Sequence, residues 1–154
     1  MKKKMIIIGG GISGIYLSIL LKKYLDIDVV VLEANDKPLK KLLATGNGRC
    51  NLSNKDLDKA HYDGDIKPWV NDIIHDFDIV EALKDIGLYT KYMGNLLYPY
   101  SESAKAVQTL FLNRAEEFGV NIICDEEVLS IKKSKHGYFI HAVHQDYQAD
   151  YVTI

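Results

Sequence analysis

The sequence predicts an α/β fold whose parallel sheet is entered through a β-α-β unit, on three observations. Met5-Ile6-Ile7-Ile8 is a short apolar run that ends at glycine, and such a run reads as a strand buried on both faces. Ile12, Ile15, Tyr16, Ile19 and Leu20 then recur at helical spacing, which predicts a helix from about Ile12 to Tyr24. Val29-Val30-Val31-Leu32 is a second buried run. Strand, glycine turn, helix and strand fit within roughly thirty residues, so the connection is expected to be a right-handed crossover.

The rest of the chain follows in order. Polar residues 35–38 close the first unit, and a second glycine-bearing stretch spans residues 41–54. Residues 55–67 lack periodicity and read as loop. Pro68 is a plausible first helical residue, with Trp69, Ile73 and Phe77 roughly on one face. A clearer helix is expected over residues 78–86, with Ile79, Val80, Leu83 and Ile86 as its apolar stripe and Gly87 closing it. Ser101 is expected to cap a further helix that reaches Phe118 and stops at Gly119, with Ala104, Val107, Leu110, Phe111, Ala115 and Phe118 as its stripe. Residues 120–124 read as a third core strand. Residues 127–133 and 138–143, joined by Ser134-Lys135-His136-Gly137, carry the signature of a β-hairpin, the start of a meander. Residues 151–154 begin another apolar strand at which the sequence stops, so we expect a fragment, truncated at its C-terminus, of a longer protein.

Composition narrows the function classes. With 154 residues the chain has the size of one domain, and its 47% hydrophobic and 26% charged residues are those of a globular protein. The net charge of −2, with both signs interspersed, offers no broad attraction to a polyanion, so no nucleic acid partner is expected. The uncharged stretch of residues 5–21 is broken by Gly9, Gly10, Gly11 and Gly14 and lacks a cleavage pattern, so it reads neither as a secretory signal nor as a membrane span. Two cysteines, Cys50 and Cys124, are too few for a disulfide scaffold and fit a reducing compartment, which places the protein in the cytoplasm.

Gly9-Gly10-Gly11-Ile12-Ser13-Gly14 satisfies G-x-G-x-x-G in the right context, after a strand and opening a helix. Gly9 permits the tight turn, Gly11 lets a pyrophosphate approach the backbone, and Gly14 lets the helix pack closely on the sheet. The helix N-terminus offers unpaired N–H groups and the positive end of its dipole to phosphate. Glu33, at the tip of the second strand, is placed to accept hydrogen bonds from both adenosine ribose hydroxyls and to repel a 2′-phosphate, which disfavours NADP at this site. These residues leave FAD and NAD unresolved.

The second stretch joins a backbone-exposing loop (Gly46, Gly48) to cations (Lys41, Arg49) and amides (Asn51, Asn54). Its chemistry suits a pyrophosphate and the polar edge of a flavin, and suits an ordinary surface turn with a solvated arginine equally well. Lys41-Leu42-Leu43-Ala44-Thr45-Gly46-Asn47-Gly48-Arg49-Cys50-Asn51-Leu52-Ser53-Asn54 resembles the K-x-L-x-[ST]-G-x-G-R-C-N-x-[ST]-N signature of the BaiN-like, or aminoacetone-oxidase-like, family of NAD(P)/FAD-dependent oxidoreductases. The likeness continues through residues 78–87 and into Gly94-Asn95-Leu96-Leu97-Tyr98-Pro99-Tyr100-Ser101, with Tyr98 where the family usually has phenylalanine.

The resemblance implies a Rossmann-like FAD-binding domain of the glutathione-reductase type, of which residues 1–154 form the N-terminal part. The remainder of the domain and an inserted substrate domain are expected outside this chain. It implies FAD as cofactor, with Gly9, Gly11, Ile12, Ser13 and Gly14 at the pyrophosphate and Glu33 at the ribose. Lys41, Gly46, Gly48, Arg49, Cys50 and Asn51 would lie along the pyrophosphate and flavin, and Val128 would meet the adenine through its backbone.

No catalytic acid or base stands out. Cys50 has no second cysteine close by, so disulfide exchange is not expected, and Cys124 reads as a packed residue of a core strand. His61, His75, His136, His141 and His144 are scattered and suggest no metal set, with His141 and His144 expected on opposite faces of one strand. Tyr92, Tyr98 and Tyr100 suit a pocket or simple packing. The expected activity is hydride transfer between flavin and a nicotinamide (NADH or NADPH) or a small organic substrate. The alternatives are a flavoprotein of the same superfamily that modifies RNA bases, and a nucleotide-binding fragment without turnover.

Overall fold

The computed structural model describes residues 2–57, 70, 73 and 76–154. His61, His75, most of the expected loop over residues 55–67, and the helix start at Pro68 and Trp69 lie outside the described residues. The chain divides into two compact units, residues 1–43 with 108–154, and residues 44–107.

The first unit is built on a four-stranded parallel sheet. Strand β1 (Lys3–Ile8) leads into helix α1 (Ile12–Tyr24) and strand β2 (Ile27–Leu32), which lies beside β1 in parallel. The helix bounds and the strand ends agree with the sequence reading, because the apolar run, the glycines and the helical repeat are all local signals, while β1 and β2 each begin two residues earlier than the apolar runs. Lys22 and Lys23 in the last turn of α1 suit the negative end of its dipole.

Numbering the elements in chain order, β3 (Ser53–Asn54), α2 (Ile79–Asp85), β4 (Thr90–Met93) and β5 (Leu96–Pro99) come next, followed by helix α3 (Ala104–Glu117). Strand β6 (Asn121–Ile123) pairs in parallel with β2. The antiparallel meander β7 (Val128–Ser134), β8 (Gly137–Ala142) and β9 (Asp146–Ala149) then precedes β10 (Tyr151–Thr153), which pairs in parallel with β1. The order across the parallel sheet is β10-β1-β2-β6.

Alternation along the strands sends successive side chains to opposite faces. Ile6, Val30 and Leu32 join Ile140, Ala142, Tyr147 and Ala149 of the meander in one buried cluster. Ile7 and Val31, also buried, point the other way, where Ile15 and Ile19 of α1 are fully covered and Tyr16 meets Phe111 of α3 edge-on at 6.1 Å. The first unit therefore stacks meander, sheet and helices. Each fully buried isoleucine contributes about 1.5–3 kcal/mol of transfer free energy.

The second unit holds a small antiparallel sheet in the order β3-β5-β4, together with α2. Asp78 caps α2, its Oδ1 accepting from the N–H groups of Val80 at 2.9 Å and Glu81 at 3.1 Å.

Three sequence expectations need correction. The cap of α3 is Ser103, not Ser101: the Ser103 hydroxyl accepts from the Ala106 N–H at 3.2 Å. Residues 100–102 are spent on a turn in which the Glu102 N–H donates to the Pro99 carbonyl and Glu102 takes φ of +46°. Cys124 lies just past the end of β6 and is half-buried, not inside a core strand. His141 and His144 do not share a strand, because β8 ends at Ala142. The β3-β5-β4 sheet and strand β9 have no counterpart in the sequence reading.

Candidate functional site

Strand β1 delivers the chain to Gly9, whose φ of +104° is a conformation that side chains disfavour. The Gly9 N–H donates to the Leu32 carbonyl at 2.8 Å, so the turn leaves β1 pinned to β2. A Cβ on Gly14 would stand 2.2 Å from the Gly9 carbonyl oxygen and 3.2 Å from Ile7 Cγ2, so only glycine lets α1 lie this close to the strand. A Cβ on Gly11 would meet nothing within 4 Å. Gly11 instead borders a cleft of about 320 Å³ that Gly9, Ile12, Ser13, Gly14 and Thr153 also line.

The start of α1 is left open. Gly11 stands at its N-cap without a side-chain cap, and the first turn contains no acidic residue. The N–H groups of Gly11, Ile12 and Ser13 have no hydrogen-bond partner among the described residues. Bared amides at the positive end of a helix dipole, equivalent to about half a unit charge, make a binding place for an anion. The missing Cβ of Gly11 provides the room for one.

Glu33 follows β2 and is buried. Its Oε2 accepts from the Gly10 N–H at 2.7 Å, and its Oε1 accepts from the Asn35 N–H at 2.8 Å and from the Asn35 side-chain amide. Burial pushes the carboxyl up, but the hydrogen bonds from Asn35 and Gly10 and the charge of Lys40 outweigh it and hold Glu33 below the usual glutamate range. Glu33 therefore stays ionised and braces the glycine turn. The motif assigns no task to Gly10, yet a Cβ there would lie 2.9 Å from Pro38 Cβ and 3.0 Å from Glu33 Oε2. Only tertiary contact reveals that role, since Pro38 and Glu33 are distant in sequence.

The linker between β6 and β7 is strapped to the same place. The Asp125 N–H donates to the Asn35 carbonyl and the Glu126 N–H to the Glu33 carbonyl, both at 2.9 Å. Val128 opens β7 two residues later, at a bulge, with its side chain packed on the core. The first unit thus gathers Gly9, Gly11, Ile12, Ser13, Gly14 and Glu33 around one turn and brings the approach to Val128 alongside. Lys41 is exposed at the start of residues 41–48, two short helical turns separated by a kink at Thr45, Gly46 and Asn47.

The second unit contains the other glycine loop. Gly46 (φ +56°), Asn47 (φ +54°), Gly48 (φ +80°) and Cys50 (φ +63°) all adopt left-handed backbone. The turn closes through Arg49 N–H to the Gly46 carbonyl at 3.1 Å and Cys50 N–H to the Thr45 carbonyl at 3.0 Å. A Cβ on Gly46 would come within 2.6 Å of the Asn51 amide nitrogen. Arg49 is not simply solvated: its guanidinium sits over the Tyr98 ring, 5.2 Å from the centroid. Tyr98 is buried, whereas Tyr92 and Tyr100 are exposed. Cys50 is fully buried, and burial pushes its thiol up while a hydrogen bond with Thr45 pulls it down less. A protonated, enclosed thiol is a poor nucleophile. Asn51 is exposed. No three His, Cys, Asp or Glu residues form a metal cluster among the described residues, and none of their helices is long and apolar enough to cross a membrane.

A family profile described as the HI0933-like protein Rossmann domain matches residues 3–154. The chain belongs to the HI0933-like Rossmann-domain family. This agrees with the resemblance read from residues 41–54 and with the parallel sheet and glycine turn. The HI0933-like chain is 36% identical over 152 residues to the 3-dehydro-bile acid delta(4,6)-reductase of Clostridium scindens, covering 96% of this chain and 37% of that protein. It is 27% identical over 133 residues to a ribosomal RNA dihydrouridine synthase of Haemophilus influenzae, covering 83% and 32%. The chain therefore spans about a third of the length of these curated relatives. Among solved structures, THI4 of Thermovibrio ammonificans superposes with a TM-score of 0.61 at 14% identity, covering 98% of this chain and 56% of that one. The bacillithiol disulfide reductase Bdr of Staphylococcus aureus gives 0.54 at 17%, covering 99% and 37%. At these identities the two structures speak for the fold alone, and the fold they share is Rossmann-like.

Proposed function

We propose that this chain is the N-terminal, nucleotide-holding part of an FAD-dependent oxidoreductase. The observation that carries the reading is the open start of α1, where the unpartnered amides of Gly11, Ile12 and Ser13 border a cleft and the ionised Glu33 is bonded to the N–H of the adjoining Gly10. The residues fit the cofactor: the amides and the helix dipole hold the diphosphate, Gly11 leaves room for it, and Glu33 accepts from the adenosine ribose. The negative charge of Glu33 turns away a 2′-phosphate. The roles that the family resemblance gives to Lys41, Gly46, Gly48, Arg49, Cys50, Asn51 and Val128 belong to the same proposal.

When bound, the flavin supplies hydride transfer to or from a reduced nicotinamide or an organic substrate. The 36% relative is named as a reductase of a 3-dehydro-bile acid, which supports a small-molecule substrate. The ribosomal RNA dihydrouridine synthase relatives favour a second reading, reduction of RNA bases, but the net charge of −2 gives this chain no broad attraction for RNA. The two cysteines, too few for a disulfide scaffold, suit a reducing compartment, and we assign the protein to the cytoplasm.

The test is the visible spectrum of the purified protein after addition of FAD, before and after anaerobic NADH or NADPH. A bound flavin spectrum that bleaches with one nicotinamide supports the reading and names the donor. A protein that takes up no FAD overturns it.

A further inference from the structure

We propose that Asn35 is a positioning residue for Glu33, occupying one carboxylate oxygen so that the other is left to grip the nucleotide through a single ribose hydroxyl. The inference rests on the reading that Glu33 meets the ribose. A carboxylate offers about four acceptor positions, two on each oxygen. Asn35 fills both on Oε1, one with its backbone N–H at 2.8 Å and one with its side-chain amide. The Gly10 N–H fills one on Oε2 at 2.7 Å.

What remains is a position on Oε2, and this is the oxygen that lies against the glycine turn, 3.0 Å from where a Gly10 Cβ would stand. The remaining acceptor therefore belongs to the oxygen beside the turn that offers its amides to phosphate. Asn35 is itself held, because its carbonyl accepts the Asp125 N–H at 2.9 Å. The clamp orients Glu33 before any ligand arrives, so less ordering is needed on binding.

The charged and titratable groups around Glu33 are Lys40, which is ion-paired with Asp36, together with Asp125 and the Cys124 thiol. Without the side-chain amide of Asn35, only the backbone N–H groups of Asn35 and Gly10 and the charge of Lys40 are left to hold the carboxylate charge against Asp36 and Asp125. The Glu33 carboxyl then takes up its proton at a higher pH, and the grip on ribose fails sooner on acidification.

The experiment combines an NMR titration of the Glu33 side-chain carboxyl in the ligand-free protein with FAD affinity measured by fluorescence over the same pH range. Asn35→Ala and Asn35→Asp are compared with wild type; both keep the backbone N–H, and the second also keeps the side-chain shape and serves if the first does not fold. Both variants should raise the pH at which Glu33 titrates and weaken FAD binding about tenfold near neutrality. In a Glu33→Gln background, Asn35→Ala should add less than about a twofold loss, because its route of action is gone. FAD lacking the adenosine 2′- or 3′-hydroxyl should bind weakly for one of the two analogues only. An unchanged Glu33 titration, a loss of equal size in the Glu33→Gln background, or equal weakening of both analogues overturns the inference. Wild-type protein that ignores FAD overturns the nucleotide reading instead, and the NMR titration still decides whether Asn35 controls Glu33.

Discussion

The backbone N–H of Gly10 donates to Oε2 of Glu33 at 2.7 Å, joining the turn after β1 to the carboxylate at the end of β2. This bond makes Glu33 a structural brace as well as a candidate ribose ligand, and it has a consequence for acid stability. Burial raises the Glu33 pKa while the Asn35 and Gly10 hydrogen bonds and Lys40 lower it further, so the folded value lies below the unfolded one. A group with a depressed folded pKa contributes stability above its unfolded value and loses it as pH falls through the folded value. Glu33→Gln should therefore be about 1.5–3 kcal/mol less stable than wild type at neutral pH. The gap should narrow as both proteins are acidified through and below the ordinary glutamate range. Urea midpoints measured across that range check this, and a gap that stays constant contradicts it.

Gly14 lies against backbone, with its missing Cβ 2.2 Å from the Gly9 carbonyl oxygen. Backbone cannot yield there as a flexible side chain can. Gly14→Ala should cost about 1–3 kcal/mol by overpacking, lowering the thermal midpoint whether or not FAD is present. Calorimetry of the variant with and without FAD measures this; a midpoint equal to wild type contradicts the packing role.

Cys50 is fully buried and Cys124 half-buried, and both thiols are raised, in each case first by burial. Neither should react quickly with a thiol reagent at neutral pH in the native protein. Cys50 should react only on unfolding, and Cys124 slowly before it. Mass spectrometry after timed iodoacetamide treatment distinguishes the two, and rapid native labelling of Cys50 contradicts the assignment of a packed thiol.

Arg49 meets the face of the Tyr98 ring, not its hydroxyl. Tyr98→Phe should therefore change stability by less than about 0.5 kcal/mol. Tyr98→Ala removes a buried aromatic and should cost about 3–5 kcal/mol. Denaturant unfolding reads both, and a large loss in Tyr98→Phe contradicts a ring-face contact.

The parts of this molecule that were legible in the sequence are those with local causes. The apolar run before Gly9, the glycines and the helical repeat locate β1, α1 and β2, and Ser134-Lys135-His136-Gly137 locates the β7-β8 turn. The cap of α3 was less so, because Ser101 and Ser103 are equally good caps by identity. The choice falls to Ser103 through the turn at Glu102, which is tied to Lys91 by an ion pair at 2.5 Å, a contact that no local pattern shows. Strands β3, β4 and β5 have two to four residues each, too short for a period, and β5 includes Pro99. In β9 only Tyr147 and Ala149 face inward between polar residues, a weak alternation. At the site, the glycine pattern and the acid at position 33 were readable. The bonds from Gly10 and Asn35 to that acid were not, because they depend on how β1 and β2 lie together.

The open start of α1 is tested most directly at Gly11. A Cβ there meets nothing within 4 Å, and the φ of −71° suits any residue, so Gly11→Ala should fold with a stability change below about 1 kcal/mol. The same methyl group would stand where a diphosphate must lie. Titration calorimetry with FAD should show wild-type protein binding and Gly11→Ala binding at least about a hundredfold more weakly, a loss of some 2.7 kcal/mol. A folded Gly11→Ala protein that binds FAD as tightly as wild type would contradict the account.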